Sequence, residues 1–190
     1  MNNYLITGAA GFIGSHTARK FINAGHNVWT IDNLRTGGKA KIPDGVKFIQ
    51  GDCQDDAVLR QLQGTRFDAI IHLAGQSSGQ ISFEDPLYDF QTNVEATVKL
   101  IEYALRTKSF RFIYASSMSI YGNVPDEPIA EGRAAQPISF YGIGKLTSEK
   151  YLTMYRQKGL EPTSVRFFNV YGPGQNMSNL KQGKIGRAHV

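Results

Sequence analysis

Cysteine is almost absent from the 190-residue chain: Cys53 stands alone, so no intrachain disulfide can form. No apolar run approaches the length of a membrane-spanning helix. Dense basic clusters are missing too, because the formal net charge of +5 comes from scattered residues, whereas a nucleic-acid site concentrates them on one face. No cluster of metal-ligand residue types occurs. These absences favour a globular cytoplasmic protein without a membrane, nucleic-acid or metal partner.

Glycine is plentiful, and three of the 20 glycines have a diagnostic spacing. Gly8, Gly11 and Gly14 follow a short apolar run at residues 4–6 and precede a helical pattern. The first glycine permits a sharp turn, the second lets backbone approach a pyrophosphate, and the third permits close helix packing. The helix N-terminus adds unpaired N–H groups and a positive dipole. A plain glycine-rich turn is the alternative. The strand before the glycines, the helix after them and an acid at the expected distance, Asp32, favour a dinucleotide site.

Short apolar runs alternate with helical patterns along the chain. We predict strands at residues 4–6, 28–31, 46–50, 69–73, 112–115 and 163–168, and helices at 12–24, 89–105 and 141–157. This alternation, without an internal repeat, predicts an α/β protein with a doubly wound parallel sheet. A proline- and acid-rich loop occupies residues 123–137, and its role stays open.

Polar residues follow several of the predicted strands. Asp32 can accept both ribose hydroxyls of an adenosine and repels a 2′-phosphate, which favours NAD over NADP, although nearby Arg35 could compensate a phosphate. Asp52 suits an adenine amino group, with capping of the next helix as the alternative. Cys53 is expected to be apolar packing rather than a nucleophile, because no histidine or asparagine motif accompanies it. His72 lies within a strand and is expected to be a packed core histidine.

Three residues form a candidate catalytic group. Tyr141 and Lys145 are four residues apart and share one face of a predicted helix. Lys145 and an oxidised nicotinamide would both lower the pKa of the Tyr141 hydroxyl from its ordinary value of about 10. Ser117, at the end of the fifth strand, can hydrogen-bond the same substrate oxygen. Asn93, a polar residue among apolar neighbours in a helix, is predicted to be a buried tether between segments.

A series of short motifs runs in order from residue 3 to about residue 183. The motifs are Thr7-Gly8-x-x-Gly11-Phe12-Ile13-Gly14, Asp32-Asn33-Leu34, Gly51-Asp52, His72-Leu73-Ala74-Gly75, Asn93-Val94, Ser116-Ser117, Tyr121-Gly122, Tyr141-Gly142-x-x-Lys145 and Arg166-Phe167-Phe168-Asn169-Val170-Tyr171-Gly172-Pro173-Gly174-Gln175. Together they resemble the extended short-chain dehydrogenase/reductase family, in its nucleotide-sugar epimerase/dehydratase branch. The resemblance covers nearly the whole chain.

The resemblance implies an NAD-binding Rossmann fold and a nucleotide-diphosphate sugar as substrate. Tyr141 would be the base, Lys145 would hold Tyr141 and the nicotinamide ribose, and Ser117 would orient the sugar hydroxyl. Asn169 would contact the substrate diphosphate. The intact protein would pair as a homodimer through the helices that hold Asn93 and Tyr141. The implied cofactor-binding residues are Gly8, Gly11, Phe12, Ile13, Gly14, Asp32, Asn33, Asp52, Cys53, Leu73, Ala74, Gly75, Asn93, Tyr141 and Lys145.

The residues after Ser117 distinguish an epimerase from a dehydratase within this branch. Dehydratases of the family carry one or two acids there to eliminate water, whereas this chain has Met118 and Ser119. We therefore predict an epimerase, which removes a hydride from a sugar carbon, most simply C4, and returns it after the keto-sugar rotates. The alternatives are a 4,6-dehydratase, a reductase, which Asp32 disfavours, and a non-catalytic NAD-binding module, which the retained Tyr141 and Lys145 disfavour. The nucleotide, the sugar and the pathway stay open.

The end of the chain differs from the family pattern, in which further strands and a C-terminal substrate lobe follow. Residues 185–190 can be encoded by ATC-GGA-AGA-GCA-CAC-GTC, which resembles a widely used sequencing adapter whose next in-frame triplet is a stop. We expect residues 1–183 to be an incomplete NAD-binding Rossmann domain and residues 184–190 to be translated adapter; a natural basic tail is the alternative. Without Lys184 and Arg187 the net charge falls from +5 to +3. Such a fragment should expose apolar surface, aggregate and be inactive alone.

Overall fold

A computed structural model describes residues 1–124 and 127–175. The expected adapter tail, residues 184–190, lies outside this part of the chain. Six strands form one sheet in which every neighbouring pair is parallel. They are β1 (Asn3–Thr7), β2 (Asn27–Asp32), β3 (Lys47–Gln50), β4 (Ala69–His72), β5 (Arg111–Ser117) and β6 (Glu161–Phe167). Their order, β3-β2-β1-β4-β5-β6, confirms the predicted doubly wound sheet of a Rossmann fold.

Helices connect the strands on both faces of the sheet. They are α1 (Phe12–Asn23), α2 (Asp56–Arg60), α3 (Gly79–Glu84), α4 (Pro86–Phe90), α5 (Ala96–Arg106) and α6 (Phe140–Tyr155). A π-helical segment, Gln91–Glu95, joins α4 to α5, and short 3-10 turns lie at Lys39–Lys41, Met118–Tyr121 and Arg156–Lys158. Within the described residues, no helix is both long and apolar enough to cross a membrane.

Alternate residues of the central strands pack on opposite faces of the sheet. Leu5 and Ile70 belong to a large apolar cluster to which α5 contributes Leu100. Ile6 and Ile71, the next residues along the same strands, belong to a second cluster on the α1 side. Because both faces are covered, the strands read as continuous apolar runs in the sequence. The faces of the sheet are therefore unavailable to a ligand, which can contact the polar residues at the carboxyl ends of the strands.

The predicted helix over residues 89–105 is helical throughout, but it starts earlier and is not a single regular α-helix. The helix begins earlier, at Pro86, where the Asp85 side chain accepts the N–H of Tyr88 at 3.0 Å and proline occupies the first turn. The π-helical segment then interrupts the α-helical hydrogen bonding before α5 starts. Helix α3 has no counterpart among the predictions; it is short, and Ser78 caps it by accepting the N–H of Ile81 at 3.3 Å. Strand β6 begins at Glu161, ahead of the predicted residue 163.

Strand β6 forms one edge of the sheet, and apolar side chains lie exposed on it and just after it. These side chains are Val165, Phe168, Val170 and Tyr171. An exposed edge with apolar neighbours favours association with other chains. The exposed apolar surface agrees with the sequence-based expectation, whereas aggregation itself stays a prediction.

Candidate active site

A cleft of about 760 Å³ runs along the carboxyl ends of β1, β2, β4 and β5. After β1 the strands are added toward one edge of the sheet, and after β4 they are added toward the other edge. The cleft lies at this switch point between β1 and β4, which is the usual ligand position of a doubly wound fold. Every predicted site residue except Asn93 lines it: Gly8, Gly11, Phe12, Ile13, Gly14, Asp32, Asn33, Asp52, Cys53, Leu73, Ala74, Gly75, Ser117, Tyr141, Lys145 and Asn169. Parallel strands therefore bring together residues that are far apart in the sequence.

The turn after β1 is built for close backbone approach. Gly8 has a φ of +78°, in the left-handed region that favours glycine. A Cβ on Gly14 would lie 2.6 Å from the carbonyl carbon of Gly8 and 2.9 Å from Cα of Ala9, with the Gly8 carbonyl oxygen closer still. Helix α1 consequently packs its first turn directly on the end of β1.

The N-terminus of α1 is open toward the cleft. Its N-cap residue is Gly11, and no side chain caps the helix there. The first turn also carries no acidic residue. Uncapped N–H groups and the positive end of the helix dipole therefore face a space lined by Gly11, Phe12 and Ile13. This end of the cleft suits a phosphate group.

The Asp32 carboxylate is nearly buried and held by two backbone groups. Its Oδ2 accepts the N–H of Ala10 at 2.9 Å, and its Oδ1 accepts the N–H of Leu34 at 2.8 Å. Each oxygen keeps a further lone pair, so the carboxylate can still accept two hydroxyl groups. Arg35, considered above as a partner for a 2′-phosphate, instead stacks its guanidinium 3.8 Å from the ring centroid of Tyr88.

Asp52 lies beside Asn33, whose Nδ2 donates to its Oδ1 at 2.6 Å. The alternative role for Asp52, capping the next helix, is wrong because Asp55 caps α2 by accepting the N–H of Ala57 at 2.7 Å. Cys53 is buried, and burial, with the nearby carboxylates, raises the pKa of its thiol far above the ordinary range. A thiol held neutral is a poor nucleophile, which agrees with the expected packing role.

Ser117, Tyr141 and Lys145 share one end of the cleft and are nearly buried, at 8%, 8% and 5% exposure. Lys145 Nζ donates to the carbonyl oxygen of Ala115 at 2.9 Å and lies 5.6 Å from the ring centroid of Tyr141. Ser117 Oγ accepts the N–H of Ser119 at 3.2 Å, which holds the serine at the strand end.

Burial shifts the two ionisable groups of this trio in opposite senses. It raises the pKa of the Tyr141 hydroxyl, with Ser117 acting in the lowering direction, and it lowers the pKa of Lys145 to about 8. The net pKa of Tyr141 is therefore raised in the protein by itself, whereas the sequence predicts a lowered value with Lys145 and an oxidised nicotinamide beside it. Desolvation of the phenol is the largest cause, and the Lys145 ammonium group donates to Ala115.

His72 is a packed core histidine, as predicted. The Thr7 hydroxyl accepts the N–H groups of Leu73 and Ala74 at 3.2 and 3.1 Å, so its own hydrogen is donated to His72 Nδ1 at 2.8 Å. His72 is then the neutral tautomer with hydrogen on Nε2, and burial lowers its pKa to about 3. The pair fixes the ends of β1 and β4 where the cleft opens.

Asn93 is buried and acts as the predicted tether. Its Nδ2 donates to the carbonyl oxygen of Gln76 at 3.0 Å and to Oδ1 of Asp89 at 3.1 Å. Gln76 Nε2 donates to the same Asp89 oxygen at 2.8 Å. The sequence reasoning missed Gln76 and Asp89, whose only signal is that both are polar and flank the motifs containing Gly75 and Asn93.

A charged network ties the loop over residues 127–136 to the site. Arg166 on β6 contacts both carboxylate oxygens of Glu149 on α6, at 3.0 and 2.8 Å. Its Nη1 also donates to the Tyr121 hydroxyl and the Glu131 carbonyl, both at 2.7 Å. This network connects the helix of Tyr141 to the strand that leads to Asn169.

Among residues 1–124 and 127–175, no group of three or more His, Cys, Asp or Glu residues could hold a metal ion.

The fold is similar to that of crystallised UDP-glucose 4-epimerases. One, from Thermus thermophilus in complex with NAD, is 36% identical with a TM-score of 0.87, over 92% of this chain and 57% of that chain. Another, from Thermotoga maritima with UDP-glucose, is 36% identical with a TM-score of 0.90, over 95% of this chain and 60% of that chain.

Curated sequences give the same result. The UDP-glucose 4-epimerase of Mycolicibacterium smegmatis is 36% identical over 179 residues, which are 90% of this chain and 57% of that protein. The chain thus spans less than two thirds of the length of these relatives. The sequence profile of the NAD dependent epimerase/dehydratase family matches residues 4–189. The chain therefore belongs to the NAD dependent epimerase/dehydratase family.

Proposed function

We propose that the intact protein is an NAD-dependent nucleotide-sugar epimerase that inverts a sugar carbon, most simply C4, through a keto-sugar. The observation that carries the proposal is the convergence of Ser117, Tyr141 and Lys145 in the cleft that also holds Asp32. Met118 and Ser119 follow Ser117, so no acid stands next to it to protonate a leaving hydroxyl. The names of the relatives favour a UDP-hexose as the substrate.

The residues of the cleft fit NAD. Asp32 keeps two free acceptor positions for the adenosine ribose, and the uncapped N-terminus of α1 would take the pyrophosphate. Asp52 and Asn33 would contact the adenine, and Lys145 the nicotinamide ribose. NAD held there would supply the hydride acceptor and donor for the sugar carbon.

The protein's own residues would handle the proton. Tyr141 would accept the proton of the sugar hydroxyl as a phenolate, and Ser117 would hold the hydroxyl oxygen in place. The positive charge of Lys145 favours the phenolate, although the burial of Tyr141 opposes it. Burial also excludes water from the reacting oxygen. Asn169 lines the cleft beyond β6 and would contact the substrate diphosphate.

The test is an incubation of the intact protein with NAD and UDP-glucose, followed by proton NMR of the sugar. We expect a mixture of the two C4 epimers, and a 4-keto-6-deoxy sugar would contradict the epimerase proposal. The present chain is expected to bind NAD weakly and to turn over no substrate. Turnover by the present chain would show that a further lobe is not required.

We also propose that residues 184–190 are translated adapter and that residues 1–183 form an incomplete NAD-binding domain. The codon match supports the adapter assignment and the greater length of the relatives supports an incomplete domain, whereas the family match to residue 189 counts against an adapter that starts at residue 184. Long-read resequencing of the source DNA across codons 180 to 190 tests it. A reading frame that continues past residue 183 supports the proposal, and a genomic stop after Val190 refutes it.

We further propose that the intact protein is a cytoplasmic homodimer that pairs through the helices holding Asn93 and Tyr141. Exposed apolar side chains on α3, α4 and α6 support this: Phe83, Leu87, Phe90, Phe140, Ile143, Tyr151 and Met154. The rings of Phe83 and Phe140 lie 5.3 Å apart, which joins α3 to α6. Light scattering of an Ile143→Lys, Met154→Glu double variant is expected to give a monomer; an unchanged dimer would place the interface elsewhere.

A further inference from the structure

Asp89 is a buried carboxylate at the back of the site, with 1% exposure. Its Oδ1 accepts two amide hydrogens, from Gln76 Nε2 at 2.8 Å and from Asn93 Nδ2 at 3.1 Å. Its Oδ2 points toward α6, because a Cβ on Gly144 would lie 3.5 Å from it. Two donors on one oxygen favour the ionised form of the acid. The residue after Gly144 is Lys145.

The elements around Lys145 supply four ionisable groups. His72 on β4 is neutral, because burial and Lys145 itself lower its pKa to about 3. Tyr114 on β5 lies with its ring centroid 4.9 Å from Nζ, and burial raises the pKa of its hydroxyl. Tyr141 on α6 is also neutral because burial raises its pKa. Of the four groups, Asp89 on α4 is the one that can carry negative charge at neutral pH.

Gly75 lies close to both Asn93 and Lys145. A Cβ on Gly75 would lie 2.6 Å from Asn93 Oδ1 and 3.6 Å from Lys145 Nζ. Asn93 Oδ1 and Lys145 Nζ therefore both face Gly75, and the Asn93 amide also donates to Asp89. A side chain at Gly75 would displace the Asn93 amide, so the glycine permits Asn93 and Lys145 to lie close together next to Asp89.

We propose that Asp89 is a positioning residue that keeps Lys145 positively charged, acting through its charge rather than by direct contact. The inference rests on the proposed function, in which Lys145 must be charged to favour the Tyr141 phenolate. Without a counter-charge, a buried ammonium group loses its proton readily. Burial lowers the pKa of Lys145 and raises that of Asp89, and each charge opposes the effect of burial on the other, as a coupled pair requires.

The experiment is a pH titration of the chain labelled with carbon-13 lysine, in which the Lys145 signal is assigned by its loss in Lys145→Met. In the unmodified protein the midpoint is expected near 8, following the pKa of about 8. Asp89→Asn, which keeps the shape and the acceptor oxygen, is expected to lower that midpoint by about one pH unit, about tenfold in the proton equilibrium. An unchanged Lys145 midpoint in a folded Asp89→Asn protein overturns the proposal.

A matched control removes a different carboxylate. Asp56→Asn breaks the exposed ion pair with Lys99, 2.9 Å long, and should move the Lys99 midpoint while leaving that of Lys145 unchanged. If Asp89→Asn does not fold, the reciprocal titration decides: Lys145→Met should raise the midpoint of carbon-13-labelled Asp89, and no rise refutes the coupling. Neither titration depends on turnover. If the intact protein epimerises no sugar, the proposed function is refuted, but the result of the titrations is unaffected.

Discussion

Gly14→Ala should destabilise the protein far more than an alanine at a glycine that has both open space and a negative φ. The added Cβ would lie 2.6 Å from the Gly8 carbonyl carbon and 2.9 Å from the Ala9 Cα. These neighbours are backbone, so no side-chain rotation can relieve the contact, and α1 must move away from β1. Overpacking usually costs about 1–3 kcal/mol, and a backbone clash belongs at or above the upper end. For a domain of this size about 3 kcal/mol corresponds to roughly 6–12 °C in Tm.

The matched control is Gly38→Ala, because no atom lies within 4 Å of its added Cβ and its φ of −128° suits any residue. We expect its free energy of unfolding to stay within about 0.5 kcal/mol of the parent. Urea denaturation with circular dichroism measures both variants, and calorimetry with NAD should show a further loss of affinity for Gly14→Ala alone. Equal stabilities for the two variants would refute the argument that α1 packs directly on the turn.

Three further predictions concern the site and its supports. In the intact protein, Tyr141→Phe should lower turnover by about 10²–10⁴-fold with NAD affinity unchanged in calorimetry, and retained turnover would exclude this residue as the base. Arg166→Met leaves the Glu149 carboxylate unpaired and should cost about 3 kcal/mol in denaturant unfolding, against less than about 1 kcal/mol for Arg133→Met at an exposed pair. The stability provided by neutral His72 is full above its unfolded pKa near 6.5 and should be lost as pH falls toward 3; a flat stability curve over that range, relative to His72→Asn, would contradict its burial as the neutral form.

The strand ends and the glycine turn could be predicted because each rests on a local rule. Apolar runs gave the strands, and the parallel sheet then placed Asp32, Asp52 and Ser117 at one edge without further information. The turn at Gly8 follows from the spacing of the glycines and the strand before them. The spacing of Tyr141 and Lys145 placed them on one helix face, and the glycine turn and Ser117 then made the group specific.

Asp89 and the helix breaks around it could not be predicted in this way. A single apolar periodicity over residues 89–105 hides both the start at Pro86 and the π-helical segment, because neither changes the apolar pattern enough to show. The burial of Asp89 depends on the packing of α4 against α6, which is a tertiary contact. From the sequence alone, an aspartate in a helix is expected on the exposed face, so nothing indicated that Asp89 is buried.

The sequence also could not predict that the pKa of Tyr141 is raised. This shift bears on how the site would work. Burial makes the phenol harder to ionise and the Lys145 ammonium easier to neutralise, so the two shifts oppose the phenolate together. Asp89 counters only one of them, since its negative charge supports Lys145 but raises the pKa of Tyr141. Burial, with the Asp89 charge, therefore favours the protonated form of Tyr141. A base at this position requires added positive charge in the cleft, which an oxidised nicotinamide carries and a reduced one does not. In the proposed epimerase, proton removal from the sugar would then be linked to the oxidation state of the cofactor in which a hydride can be accepted.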